Sequence, residues 1–130
     1  MGEWITPKFD DRGMTQWYWR VVGINNFELG KNVEIGSFSI IDAKDGVIIE
    51  DDVKIGWNCS IFSVSTIDNK KGKIILKKNC KIGANSVIMP GVTIGENSIV
   101  GANSLVNKNI PPNEIWVGSP SKKIKELRHD

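Results

Sequence analysis

The chain has 130 residues, 40% hydrophobic and 25% charged, which fits one globular domain and excludes the disordered and collagen-like classes. Seventeen basic against fifteen acidic residues leave a net charge of +2, too balanced for a generic nucleic-acid binder. No apolar run approaches the roughly 20 residues of a membrane span, and no signal peptide is predicted, because Met1–Pro7 lacks a basic stretch before an apolar one. Two cysteines, Cys59 and Cys80, are too few for a disulfide framework or a zinc cluster. A cytoplasmic protein is expected.

Residues 1–28 do not repeat but concentrate Trp4, Trp17, Tyr18 and Trp19. A stacked repeat needs its open end covered, so this segment is read as a cap; stacking on a sugar or base is the functional alternative. From residue 29 to 110 an aliphatic residue recurs at every sixth position. Leu29, Ile35 and Ile41 form one series, Ile49, Ile55, Ile61 and Ile67 a second, and Leu76, Ile82, Ile88, Ile94, Val100 and Val106 a third. The register slips by two residues before Ile49 and by three before Leu76, and a protruding loop is predicted near 62–73. In the third series, four residues on, stand Cys80, Ser86, Val92, Ser98, Ser104 and Ile110 as further inward positions. Cys59 and Cys80 are thereby predicted to be buried space-fillers rather than nucleophiles. The place before each holds Asn79, Asn85, Gly91, Asn97, Asn103 or Asn109. Residues 111–130 form a tail in which Ile124 and Leu127 are spaced for a short helix, with Ser119 or Ser121 as its cap.

A helix does not explain the period. Six residues at about 100° each turn the side chain by about 240°, so no helical face is held. In extended chain, separations of four and six are both even and keep side chains on one face. Asn and Gly supply the positive φ that a tight corner needs. Short strands joined by regular corners and stacked coil on coil give a solenoid with one aliphatic core.

The hexads Ile82-Gly-Ala-Asn-Ser-Val, Ile94-Gly-Glu-Asn-Ser-Ile and Val100-Gly-Ala-Asn-Ser-Leu resemble those of the hexapeptide-repeat acyltransferases. Ile88-Met-Pro-Gly-Val-Thr-Ile-Gly, the run from Gly101 to Pro112, and Val117-Gly-Ser-Pro-Ser-Lys-Lys-Ile-Lys resemble the C-terminal signature of the sugar O-/N-acetyltransferase branch. The resemblance covers about residues 29–128 and implies an all-β, left-handed parallel β-helix, with its hand taken from the family alone. It further implies homotrimers with active sites between subunits and acetyl-CoA as acyl donor. Gly83-Ala84 and Gly101-Ala102 would let the pantetheine arm approach the backbone, and Lys108, Lys122 and Lys123 would face the nucleotide phosphates. For each there is a plainer reading, coil geometry for the glycines and solubility for the lysines. The same holds for the run of six lysines between Asn69 and Ile82 and for the group Lys122, Lys123, Lys125 and Arg128.

The sequence departs from its family in the loop. Relatives commonly carry a histidine there as general base, whereas Phe62-Ser-Val-Ser-Thr-Ile-Asp-Asn-Lys-Lys-Gly-Lys-Ile contains none. His129 is the only histidine, read as a frayed terminal residue. Lys81 also stands where relatives commonly have tryptophan. A sugar hydroxyl needs a base near neutral pH, while an amine with a pKa near about 8 is already partly neutral. The reading is therefore an acetyltransferase that N-acetylates a nucleotide-linked amino sugar for surface polysaccharide, by direct amine attack with backbone N–H groups stabilising the oxyanion. Asp68 and Thr66 are the catalytic candidates, and Ser65, Asn69, Asn58 and Trp57 the acceptor contacts; common loop chemistry is the alternative for each. Two rivals are O-acetylation with a carboxylate base, from Asp68 or a neighbouring subunit's copy of Asp42 or Asp45, and a non-catalytic scaffold subunit. No metal, nucleic acid or membrane span is expected, and serine acetylation is disfavoured for want of a helical N-terminal domain.

Overall fold

Two kinds of position recur in each hexad, an inward aliphatic and a corner residue with positive φ, and together they fold the chain into a stack of triangular coils. The computed structural model describes residues 3–127. The first coil carries β1 (Arg20–Val22), β2 (Phe27–Leu29) and β3 (Glu34–Ile35), one on each side of the triangle. The second carries β4 (Ile40–Asp42), β5 (Val47–Ile49) and β6 (Lys54–Ile55). The third begins with β7 (Ser60–Phe62), detours through a hairpin of β8 (Val64–Ser65) and β9 (Lys70–Lys71), and continues as β10 (Ile74–Leu76) and β11 (Lys81–Ile82). The fourth is β12 (Val87–Ile88), β13 (Thr93–Ile94) and β14 (Ile99–Val100). The last is β15 (Leu105–Val106), a bridge from Ile110 to Ile94, and β16 (Glu114–Gly118).

Every coil-to-coil pairing is parallel, giving three sheets in the orders β1-β4-β7-β12-β15, β2-β5-β10-β13 and β3-β6-β11-β14-β16. Their registers align the inward side chains into columns. One is Val21–Ile41–Ile61–Ile88–Val106, another Leu29–Ile49–Leu76–Ile94–Ile110, and the third Ile35–Ile55–Ile82–Val100–Trp116. The first column is buried throughout, and each full side chain so buried contributes roughly 1.5–3 kcal/mol. The small inward positions also fill as the spacing predicts. Ser39, Ser86 and Ser104 are buried, yet their hydroxyls donate to Gly56 O at 3.1 Å, Gly101 O at 3.2 Å and Gly101 O at 2.6 Å. Satisfied this way, they link coils without an unpaired polar group in the core.

The corners explain the asparagines. Asn58, Asn85 and Asn103 have φ of 56°, 61° and 60°, and Asn79, Asn97 and Asn113 have φ of 63°, 64° and 62°. Their side chains form ladders along the stack: Asn58 Nδ2 donates to Asn85 Oδ1 at 3.0 Å, and Asn85 Nδ2 to Asn103 Oδ1 at 2.9 Å. Asn109 is outside both columns; its Oδ1 accepts from the Thr93 amide at 2.8 Å.

Two expectations are corrected. Ile67 is not a core rung but lies in the β8–β9 hairpin at 95% exposure. The chain needs fifteen residues rather than six to pass from Ile61 to Leu76, because β7 and β10 bracket that excursion. Among its described residues the tail forms no helix. β17 (Ser121–Glu126) runs back antiparallel to β16, pairing Gly118 with Ser121 and Glu114 with Glu126. The ladder satisfies the otherwise open edge of the third sheet, and leaves Ile124 58% exposed. Arg128 and His129 lie outside the described residues.

At the other end, Trp19 is buried and packs edge-on to Phe9 at 5.6 Å, while Trp4 Nε1 donates to Val33 O at 2.8 Å. The first solenoid strand starts at Arg20.

Replacing Asn85 tests the corner chemistry. Asn85→Gly and Asn85→Ala both lose the ladder, but only alanine meets the positive-φ penalty. The alanine variant is expected to be less stable than the glycine variant by about 1 kcal/mol, read from urea midpoints. Coincident transitions would refute the conformational account.

Candidate functional site

In the first four coils the residue after the third-side aliphatic is glycine, Gly36, Gly56, Gly83 and Gly101, whereas in the last Val117 follows Trp116. A Cβ on Gly56 would stand 2.5 Å from Ala84 N, and one on Gly83 2.4 Å from Ala102 N. No side chain fits between these rungs, so coil stacking alone accounts for both glycines. The same absence leaves a groove of about 650 Å³ along the third side. Gly83, Gly101, Ala102 and Trp57 line it together with Glu34, Lys54 and Lys81. Trp57, at 65% exposure, forms one wall. Ala84 sits at the next corner, its amide against Gly56. Gly36, Gly56 and Lys54 were not singled out from the sequence, although the aliphatic-Gly pairs Ile35-Gly36 and Ile55-Gly56 repeat the pattern of Ile82-Gly83.

Strand β14 lines the groove, and its neighbour β16 leads to a basic hollow of about 400 Å³. Lys108, Lys122 and Lys123 converge there with Trp116 and Ser121. Lys123 is partly engaged: its Nζ lies 3.1 Å from Glu126 Oε1 and 3.3 Å from Glu114 Oε2. Those carboxylates, Glu126 first, hold its pKa above the usual lysine value. Glu114 is held below the ordinary carboxylate value, first by the Trp116 indole N–H at 2.9 Å and then by Lys123. Ser121 was expected to cap a helix. Instead its hydroxyl is buried without a partner in the wall of this hollow, an unsatisfied group of the kind a bound polar ligand would pair.

The hairpin holds the remaining candidates. Ser65 is buried on β8, and the Asp68 carboxylate beyond it on the hairpin is exposed. The Ser65 hydroxyl first, then the Lys70 amide at 3.4 Å and the Lys70 ammonium at 3.8 Å, keeps the Asp68 pKa below the usual carboxylate value. Asp68 is therefore ionised at neutral pH and is a poor proton acceptor there. Thr66 and Asn69 are exposed beside it, with Asn69 at φ 57° in the turn. None of these four lines the groove of its own chain. Asn58 is committed to its ladder at the corner next to Trp57. Asp42 is paired with Lys44 at 3.4 Å, and the Asp45 amide donates to Ser63 Oγ at 2.8 Å. Among the described residues no group of His, Cys, Asp and Glu side chains is arranged to hold a metal, and no helix is long and apolar enough to cross a membrane.

The fold and site define a parallel β-solenoid built of hexads, with an outer groove and a basic end. Residues 28–65 match the family model "Hexapeptide repeat of succinyl-transferase" and residues 73–108 match "Bacterial transferase hexapeptide (six repeats)". The chain belongs to the hexapeptide-repeat acyltransferase family, and the left hand of its coil comes with that family. It is similar to galactoside O-acetyltransferase of Escherichia coli, at 34% identity over 78% of this chain and 57% of that protein. Among solved structures it is similar to a hexapeptide-repeat acetyltransferase from Vibrio cholerae complexed with acetyl coenzyme A. That match has a TM-score of 0.80 at 27% identity, over 85% of this chain and 66% of the other. It is also similar to AntD, an N-acyltransferase from Bacillus cereus in complex with dTDP and 3-hydroxybutyryl-CoA, with a TM-score of 0.70 at 26% identity, over 88% and 79%. The chain spans 28–57% of the length of the first curated relatives it matches.

Both cysteines are buried, as the hexad count predicts. Desolvation raises the pKa of Cys59 and pushes that of Cys80 up to about 12. Neither thiol is a nucleophile at neutral pH. A thiol-disulfide dye at pH 8 is expected to titrate no thiol in the native protein and both in urea; a native thiol that reacts promptly would contradict this.

Proposed function

We infer that this chain is an acetyl-CoA-dependent acetyltransferase whose acceptor is an amino sugar, of the nucleotide-linked kind used for surface polysaccharide. The observation that carries the donor half is one sheet that supplies both a backbone-floored groove and, at its end, a basic hollow. CoA offers a thin pantetheine arm and several phosphate charges, and these are the shapes and charges the two surfaces suit. Gly83, Gly101 and Ala102 would flank the arm, with Ala84 at the corner beside it. Lys108 and Lys122, more than the carboxylate-paired Lys123, would meet the phosphates as point charges. Ser121 would give its hydroxyl hydrogen to a phosphate oxygen. The Vibrio cholerae neighbour is described with acetyl coenzyme A bound, which supports the same donor here.

The acceptor half rests on the hairpin. With no histidine among the loop residues and the Asp68 pKa held below the usual carboxylate value, no base with a pKa near neutrality stands there. An amine needs none before it attacks. Its nitrogen bonds to the thioester carbon, the C–S bond breaks, and the ammonium proton passes to the departing thiolate, to Asp68 or to water. Backbone N–H groups would stabilise the oxyanion. Thr66, Ser65 and Asn69, with Trp57 and the neighbouring Asn58, would contact the acceptor, and ionised Asp68 would orient its ammonium by charge. Because the hairpin lies off the groove of its own chain, a neighbouring subunit's hairpin would complete each site, in keeping with a homotrimer. A cytoplasmic setting follows from the donor. AntD, named as an N-acyltransferase with dTDP bound, supports N-acylation of a nucleotide-linked sugar. Galactoside O-acetyltransferase supports the second reading, O-acetylation.

Calorimetric titration with acetyl-CoA is expected to show one saturable site per subunit, weakened about tenfold by Lys122→Ala through loss of one charge contact of about 1.4 kcal/mol. Absence of binding at millimolar ligand would favour the scaffold reading. In an acceptor panel, amino sugar nucleotides are expected to be acetylated and their hydroxyl analogues not; the reverse would overturn the N-acyl assignment. The rate should follow deprotonation of the acceptor amine. Since the Asp68 pKa is lowered, its contribution is present at neutral pH and lost only in acid, below about pH 4.

A further inference from the structure

The N-terminal aromatics do more than cover the first coil. Trp19 is buried and serves the core, and with the more exposed Trp4 and Trp17 it lines a cleft of about 470 Å³ between the N-terminal segment and the first two coils. That volume lies within the range of small-ligand sites, about 300–1,000 Å³. Trp4 is fixed there by its indole N–H on Val33 O at 2.8 Å. Trp17 keeps 36% of its surface exposed, and the bond its residue accepts, from Ser37 Oγ at 2.8 Å, uses only its backbone carbonyl. The Trp4 indole and the Trp17 backbone are thus anchored while apolar ring surface stays open to a ligand, which offers a stacking platform.

The polar lining narrows the ligand. Glu3, Glu34 and Asp52 share the cleft with one cation, Lys54, whose ammonium lies 3.8 Å from Glu34. The balance is negative, so a phosphate or a nucleotide diphosphate is repelled. Carboxylates beside indole rings instead suit a pyranose, whose C–H face stacks on the ring while its hydroxyls donate to the carboxylates. An ammonium on the sugar adds a charge contact. We propose that the Trp4–Trp17 cleft is a saccharide-binding site selective for unphosphorylated, aminated sugar units. It is separate from the basic hollow and independent of whether this chain transfers an acetyl group. Glu34 and Lys54 also line the third-side groove, so a saccharide held here lies at the end of that groove remote from the lysines.

The test is calorimetric titration of the full chain with a glucosamine tetrasaccharide, with cellotetraose as the neutral comparison, each with and without saturating CoA. Both are expected to bind one site per chain, the aminated ligand more tightly, and CoA to leave both affinities unchanged. Trp17→Ala should weaken both at least tenfold. Asp52→Asn should weaken only the aminated ligand, by severalfold, and folds readily, because Asp52 has φ 64° and asparagine takes that conformation at the equivalent corners Asn32, Asn79, Asn97 and Asn113. The proposal is overturned by no binding at 10 mM (about 100 times the ligand that a 0.1 mM site needs), by affinities that Trp17→Ala leaves intact, by an Asp52→Asn variant that keeps the preference for the aminated ligand, or by displacement with CoA. Acetyl-CoA binding, read separately at the basic hollow, keeps this outcome distinct from that of the transferase reading.

Discussion

The structure depends on one constraint: each coil must lie close enough to the next for backbone amides to hydrogen-bond along the whole stack. That spacing leaves no room for a side chain at Gly56 or Gly83, where a Cβ would fall within 2.5 Å of the next coil's backbone. It forces polar inward residues to be as small as Ser86 and Ser104, and it aligns the corner asparagines so that each amide side chain reaches its counterpart one coil on. The groove on the third side is a by-product of the same constraint. A column that cannot carry side chains exposes backbone, and exposed backbone is what a thin ligand can approach.

Charge is distributed along this uniform scaffold with a clear polarity. The C-terminal end gathers Lys108, Lys122 and Lys123 around a hollow, whereas the N-terminal end gathers Glu3, Glu34 and Asp52 around two indoles. A net charge of +2 conceals this separation. Under the proposed function, a polyanionic donor and an aminated saccharide would be drawn to opposite ends of the same side. The hairpin inserts into the third coil without disturbing the rungs above and below it, since β7 and β10 keep their pairings to β4 and β12 and to β5 and β13. The repeats can thus change the loop's chemistry, histidine for serine and aspartate, at little cost to the fold.

The third series, from Leu76 to Val106, could be read directly because period, small inward residue and corner asparagine all agree there, and agreement among independent local signals is what specifies a structure. The aliphatic spacing alone also located the rungs from Leu29 to Ile61, but it misplaced Ile67 and the tail. Ile67 keeps the six-residue beat yet lies exposed on the hairpin, because a period cannot tell a rung from an insertion of similar length. Ile124 and Leu127 have helical spacing, but the open edge of the third sheet offers β17 a ladder of hydrogen bonds that an isolated helix of one or two turns cannot match.

Of the candidate site, the sequence by itself determined the residue types: the Gly-Ala pairs, the lysines, the histidine-free loop and the clustered tryptophans. The tertiary structure decided which of them meet. It placed Trp57 beside glycines 26 and 44 residues further on, because successive third-side rungs stack. It set Ser65 near Asp68, which lowers the carboxylate's pKa further, and it paired Lys123 with Glu126 of its own strand and with Glu114 of the strand alongside. It also divided the tryptophans, burying Trp19 and leaving Trp4 and Trp17 on an acidic cleft. Local sequence fixes period and corner chemistry because those depend on φ, ψ and side-chain size at single positions. Charge pairing and clefts depend on which coils become neighbours, and that is settled only when the stack closes.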